Sequence, residues 1–88
     1  MSKITFAEDA WEEYVYWQSQ DKKTLKKINR LLKSIQREPF TGEGKPEPLR
    51  DSSGGEWSRR INEKDRLVYT VGNENIIVTQ CRGHYGDK

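Results

Sequence analysis

Apolar positions along the chain change their spacing as it proceeds, and the changes mark its elements. From Lys3 to Phe6 they fall on alternate residues, the rhythm of a short strand. From Glu8 to Gln18 the spacing lengthens to that of a helix. Trp11, Tyr14, Val15 and Gln18 lie on one side, and the acids Glu8 and Asp9 occupy the first turn, where the helix dipole favours them. Asp21 is a good cap for a second helix that runs to about Arg37. Its Leu25, Ile28, Leu31, Leu32 and Ile35 share a face, and Glu38 ahead of Pro39 ends it. Trp57 to Tyr69 then reads as two short strands joined by a polar turn. Gly72 to Asn75 reads as a second turn and Ile76 to Cys81 as a last strand. The order βααβββ predicts a compact α+β domain, with two N-terminal helices packed on one face of a mainly antiparallel sheet and the other face partly open.

Within the hairpin, pairing Ile61 with Leu67 across the turn Asn62 to Asp65 sets Trp57, Ile61, Leu67 and Tyr69 on the core side. Arg59 is the discordant member of that side. Arg60 and Arg66 share the opposite face, and a rigid pair of guanidiniums suits a planar anion such as phosphate. The aromatic set Trp11, Tyr14, Tyr16 and Trp17 is expected in and beside the core.

Pro39 to Gly55 contains all three prolines and is expected to be loop, long for a chain of 88 residues. In it Glu47 stands between Pro46 and Pro48, which hold its carboxylate on a stiff segment. The second helix carries Lys22, Lys23, Lys26, Lys27, Arg30, Lys33 and Arg37 away from its apolar face, with no acid at the next turn to neutralise them. Alone, such a stripe is an ordinary solvated surface. Next to a second basic region it is equally well read as a phosphate-contact surface, because a net charge of only +2 leaves nucleic-acid affinity to local clustering.

Charged residues make up 34% of the chain and apolar ones 32%, but nine aromatics favour a packed fold over disorder. The size suits one domain, residues 1–88, with 86–88 expected as a flexible tail. One cysteine and one histidine exclude a disulfide framework and an ordinary zinc site, and no cofactor is expected. With no long apolar run, a soluble cytoplasmic protein without a membrane role is expected.

A stiff carboxylate, two co-facial arginines, and His84 with Tyr85 at the exit of the last strand match the needs of RNA self-cleavage. Those needs are a base for the 2′-hydroxyl, an acid for the leaving 5′-oxygen and cations for the phosphorane. Two rivals use the same surface: a non-enzymatic RNA- or ribosome-binding module and, less favoured, a ParE-like gyrase poison.

The runs Trp11-Glu-Glu-Tyr-Val-Tyr-Trp17, Lys26-Lys-Ile-Asn29, Gly42-Glu-Gly-Lys-Pro-Glu-Pro-Leu49, Trp57-Ser-Arg-Arg-Ile61, Arg66-Leu-Val-Tyr69 and His84-Tyr85 resemble the YoeB/Txe toxins of the RelE superfamily. The resemblance implies a type II toxin–antitoxin ribonuclease that cleaves mRNA in the ribosomal A site without a metal. It also implies a YefM-like antitoxin with an acidic, disordered C-terminal segment, and dimerisation. By motif, Glu47 corresponds to the general base, His84 to the general acid, Arg66 to the transition-state stabiliser and Tyr85 to a group that positions RNA or the acid. Arg60, Arg50, Lys45, Lys26, Lys27 and Arg30 make up the expected phosphate-binding set. Arg50 stands where the family usually has lysine, and the chain runs three residues past the His-Tyr pair at which family members commonly end.

Overall fold

One residue, Asp21, separates the two helices. Its extended backbone lets its own N–H close the first helix on Trp17 O, while its carboxylate accepts from Lys23 N, Thr24 N and the Thr24 hydroxyl at the start of the second. The Thr24 side-chain and backbone hydrogen bonds hold this carboxyl below its usual range. The computed structural model describes residues 2–49 and 55–84. Its elements are β1 (Lys3–Phe6), α1 (Glu8–Gln20), α2 (Lys22–Arg37), β2 (Glu47–Pro48), β3 (Glu56–Arg60), β4 (Arg66–Gly72) and β5 (Asn75–Gln80). The strands form one sheet in the order β1-β5-β4-β3-β2, with β1 parallel to β5 and the other neighbours antiparallel.

The α+β layout is the expected one, with three local differences. First, the proline-rich segment is not wholly loop. Glu47 pairs with Ser58 and Pro48 with Trp57, adding β2 at the sheet edge. A proline is tolerated there because it has no ladder hydrogen bond to donate, and two residues are too few to show a strand period. Second, the hairpin register is displaced by two residues: Arg60 pairs with Arg66 and Arg59 with Leu67. Asn62 causes the displacement. Its side-chain oxygen accepts from Lys64 N and Asp65 N, and Ile61 N donates to Asp65 O, so the turn takes up Ile61 to Asp65. An even displacement leaves every side chain on its expected face.

Third, α1 is rotated relative to its apolar pattern. Its buried residues are Ala10, Glu13 and Trp17, with Tyr14 packed beside them, whereas Trp11 is 51% and Val15 44% exposed. The rotation follows from polar pairing with Cys81, just past β5. Glu13 Oε1 accepts from Cys81 N at 2.8 Å, and Trp17 Nε1 donates to Cys81 O at 2.8 Å. Both backbone groups of that buried residue are thereby satisfied, which the more apolar stripe could not have done. Trp11 lies instead against the Phe6 and Tyr14 rings. On α2, Ile28, Leu31, Leu32 and Ile35 are buried and meet Leu67, Tyr69, Ile76 and Val78 of the sheet and Ile61 of the hairpin turn.

Arg59 resolves its own discordance. It is fully buried and donates five hydrogen bonds: to Tyr69 Oη, Ser34 Oγ, Glu43 O, Glu38 O and Thr41 O. A guanidinium has five N–H groups, so each has an acceptor and none of those acceptors is a carboxylate. The Tyr69 hydroxyl, its pKa raised by burial, donates onward to Pro39 O at 2.7 Å. Three carbonyls of the 38–43 segment are thus tied to one side chain beneath it. Gly44 brings the segment down onto β3. It has φ +89°, its carbonyl accepts from Arg60 N at 2.7 Å, and a Cβ there would lie 2.8 Å from Leu31 Cδ2. From above, Glu43 accepts from Arg30 through Nε and Nη2 and from Lys27 Nζ at 2.9 Å. The Arg30 and Lys27 hydrogen bonds lower its pKa from 4.5 to about 2.

Arg59→Met should lower stability by on the order of 3 kcal/mol or more, because it strands several buried acceptors. Urea unfolding measures the loss, and limited proteolysis should find new cleavage between residues 38 and 44. Glu43→Gln should lower the melting temperature at neutral pH. Because the folded pKa lies below the unfolded one, the deficit is full above about pH 4.5, shrinks as pH falls and is gone by about pH 2. Melting curves of both proteins across that range check it.

Candidate active site

The sheet face opposite the helices receives the even-numbered residues of β3 and β4. Its inner part is closed, for Ser58, Val68 and Gln80 are all buried there. It opens where Arg60 and Arg66 pair directly across the strands. Two like charges at such a pair repel each other, an arrangement that suits an anion lying between them. Glu47 comes in from the β2 edge, in register with Ser58 and hence with Val68. Its carboxylate is 62% exposed and lies 3.9 Å from Arg66 Nη1, an ion pair too long to be a hydrogen bond. Arg66 is held in place by the sheet, with a side chain only 21% exposed.

A bulge brings the far side of the site into position. Tyr69 pairs with Val78 but Val68 pairs with Gln80, so Thr79 is the extra residue. The shift in parity moves Gln80 onto the arginine face and returns Cys81 to the core. Past β5 the chain turns back toward β4: Arg66 N donates to Gly83 O at 2.9 Å, and Gly83 N donates to Asp65 Oδ1 at 2.8 Å. The Gln80 amide donates to the carbonyls of Arg82, Gly83 and His84. On the outside, the Arg82 guanidinium stacks on the Tyr16 ring at 3.7 Å. His84 is exposed at the end of this turn, with its backbone anchored beside the start of β4. The same packing seals Cys81, whose thiol is pushed up to about 12 by burial and by the charge of Asp65. It is a structural thiol and not a nucleophile.

The expected phosphate-binding residues fall into two groups. Lys45, Arg60 and Lys27 line one groove together with Asn62. Lys27 also borders a second groove with Lys23, Lys26 and Arg30, so the two join along α2. The stripe is not unopposed, as its helical spacing suggests: Glu43, contributed by the loop, engages Lys27 and Arg30. Lys26 remains exposed. Arg50, Tyr85 and the 86–88 tail lie outside the described residues.

Four residues that shape the site drew no functional reading from sequence: Arg59, Glu43, Asp65 and Gln80. Gln80 left the clearest trace, as a polar residue at the buried end of Ile76-Ile-Val-Thr-Gln-Cys81. Its direction depends on the bulge, which leaves no mark in composition.

The sequence and the fold have counterparts among known proteins. The model of a YoeB-like toxin of bacterial type II toxin-antitoxin system matches residues 6–85. Toxin YoeB of Escherichia coli K12 is 49% identical over 83 residues, which cover 94% of this chain and 99% of that one. The YoeB dimer from Staphylococcus aureus superposes with a TM-score of 0.89 at 50% identity, over 96% of this chain and 98% of its own. A heterotetrameric YoeB-YefM toxin-antitoxin complex from the same organism gives 0.86 at 50% identity, over 97% and 99%. With a family model covering nearly the whole chain and half the residues shared with its relatives, this chain belongs to the YoeB-like toxins of bacterial type II toxin-antitoxin systems.

Proposed function

We propose that the chain is a ribosome-dependent endoribonuclease that cleaves mRNA in the ribosomal A site by general acid–base catalysis. The observation that carries this reading is the meeting of Glu47 and Arg66 at 3.9 Å on an open sheet face, with Arg60 paired beside Arg66. Glu47, exposed and held by Pro46 and Pro48, takes the proton from the 2′-hydroxyl, which attacks the adjacent phosphorus. Arg66 and Arg60 hold the non-bridging oxygens as the phosphorane gains charge. His84 gives a proton to the departing 5′-oxygen, so the products are a 2′,3′-cyclic phosphate and a free 5′-hydroxyl. The backbones that carry Glu47 and the His84 turn are separated by β3, with anchors on β2 and β4, two strand spacings or roughly 10 Å apart. That gap accommodates a phosphodiester between acid and base.

The two joined cationic grooves extend this site along Arg60, Lys45, Lys27 and Lys26, a path for the phosphates of the message or of ribosomal RNA. The same charge suits an acidic, YefM-like antitoxin segment that folds on binding, as the Staphylococcus aureus complex suggests by kinship. Dimerisation and action in the cytoplasm, where ribosomes are, belong to the same reading. No helix among the described residues is long and apolar enough to cross a membrane.

On purified ribosomes holding a defined codon in the A site, the wild type should cut within that codon. Glu47→Ala and His84→Ala should each lower the cleavage rate by about 10²–10⁴-fold. Arg66→Ala should lower kcat by about 10²–10³-fold with little change in KM. Primer extension and end-group analysis of the cyclic phosphate provide the readout. Intact message at saturating toxin, with ribosome binding retained, would leave a binding module in place of an enzyme.

A further inference from the structure

The segment 81–84 carries the chain's only histidine and lies beyond the last ladder pairing of β5. β4 gives it one backbone hydrogen bond, from Arg66 N to Gly83 O, and side chains supply the other ties. Glu13 takes Cys81 N, Asp65 takes Gly83 N, and Tyr16 takes the Arg82 side chain. The segment's carbonyls are gathered as well. Those of Arg82, Gly83 and His84 converge on Gln80 Nε2 at 3.0, 3.0 and 2.8 Å. Three acceptors around one end of a carboxamide require that end to be the NH₂ group, and its two hydrogens are shared among them. Gln80 is itself only 6% exposed, so water competes little for those hydrogens.

We infer that Gln80 is a positioning residue for His84: its amide, turned to the arginine face by the Thr79 bulge, gathers the three carbonyls and fixes the backbone from which the imidazole projects. The role is separate from that of Asp65 and Glu13, which hold N–H groups earlier in the segment and leave the His84 peptide untouched. Among these ties, only the Gln80 bonds reach the backbone of residue 84 itself. Gly83, at φ +86°, gives the turn the left-handed step that lets three successive carbonyls point inward. The catalytic consequence rests on the ribonuclease reading above, whereas the positioning itself does not.

Two variants test it. Gln80→Met keeps the length and removes the donors, and Gln80→Asn keeps the donors but withdraws them by one methylene. Because His84 is the only histidine, its ring resonances in the untagged protein report its surroundings without ambiguity. In Gln80→Met they should move toward random-coil positions while the rest of the spectrum stays folded, and in Gln80→Asn they should move less. In the ribosome assay kcat should fall about 10- to 100-fold in Gln80→Met, with KM within about twofold, as expected for a misplaced catalytic group. Added to His84→Ala, the same substitution should cost nothing further, because the group it positions is already gone. Unmoved ring resonances in either folded variant, or losses that multiply in the His84→Ala background, would overturn the inference. If the wild type cleaves no message, the ribonuclease reading fails by itself, and the ring resonances alone decide whether Gln80 positions His84.

Discussion

A buried arginine with five acceptors and no carboxylate holds this molecule together at its most irregular point. Arg59 enters the core from β3, where the strand alternation demands an apolar side chain, and uses all its N–H groups on oxygens of α2, β4 and the 38–43 segment. A charge in such a place is tolerated only when every donor is met, and meeting them requires the segment to run where it does. Glu43 bears on the same stretch from outside through Lys27 and Arg30. Between these two constraints the chain reaches Gly44, presses against β3 and enters β2 with Glu47 facing the arginines. The stiffness supplied by Pro46 and Pro48 would otherwise have no fixed point from which to act.

The opposite side of the site depends on a similar substitution of side chains for ladder bonds. Once β5 ends, the backbone of 81–84 keeps one bond to β4, from Arg66 N, and is otherwise held by Glu13 and Trp17 of α1, Asp65 of the hairpin turn and Gln80 of the bulged strand end. Residues widely separated in the chain therefore anchor a segment of four. The acid and base of the proposed reaction are thus carried on the two least regular stretches, each tied to the regular frame that carries Arg60 and Arg66. Such a division agrees with function residing on irregular segments positioned by a rigid scaffold.

The residue types of the candidate site are legible in the sequence because they lie in short spacings. Pro46-Glu-Pro48, the arginines of the hairpin and His84-Tyr85 are local, and side-chain alternation put Arg60 and Arg66 on one face even though the register was two residues off. Asp21 as the start of α2 and the stripe Ile28, Leu31, Leu32, Ile35 were equally local and are found as expected. α1 was misread because its packing is decided by Cys81, far along the chain, whose backbone groups draw Glu13 and Trp17 inward and leave Trp11 at the surface. Hydrophobic spacing cannot register a buried glutamate that is there to accept a hydrogen bond.

The sequence by itself determined the order of the main elements, the α+β class, the face each residue of the β3–β4 hairpin takes and the charged groups available for chemistry. Each of these follows from backbone periodicity and residue type, which act over a few neighbours. Tertiary structure decided the parallel docking of β1, the two-residue strand at Glu47, the bulge that turns Gln80, and the partners of Arg59 and Glu43. These depend on which buried donors and acceptors can find each other once the chain is compact. That pairing is a property of the whole packed arrangement and is carried by no single stretch of it.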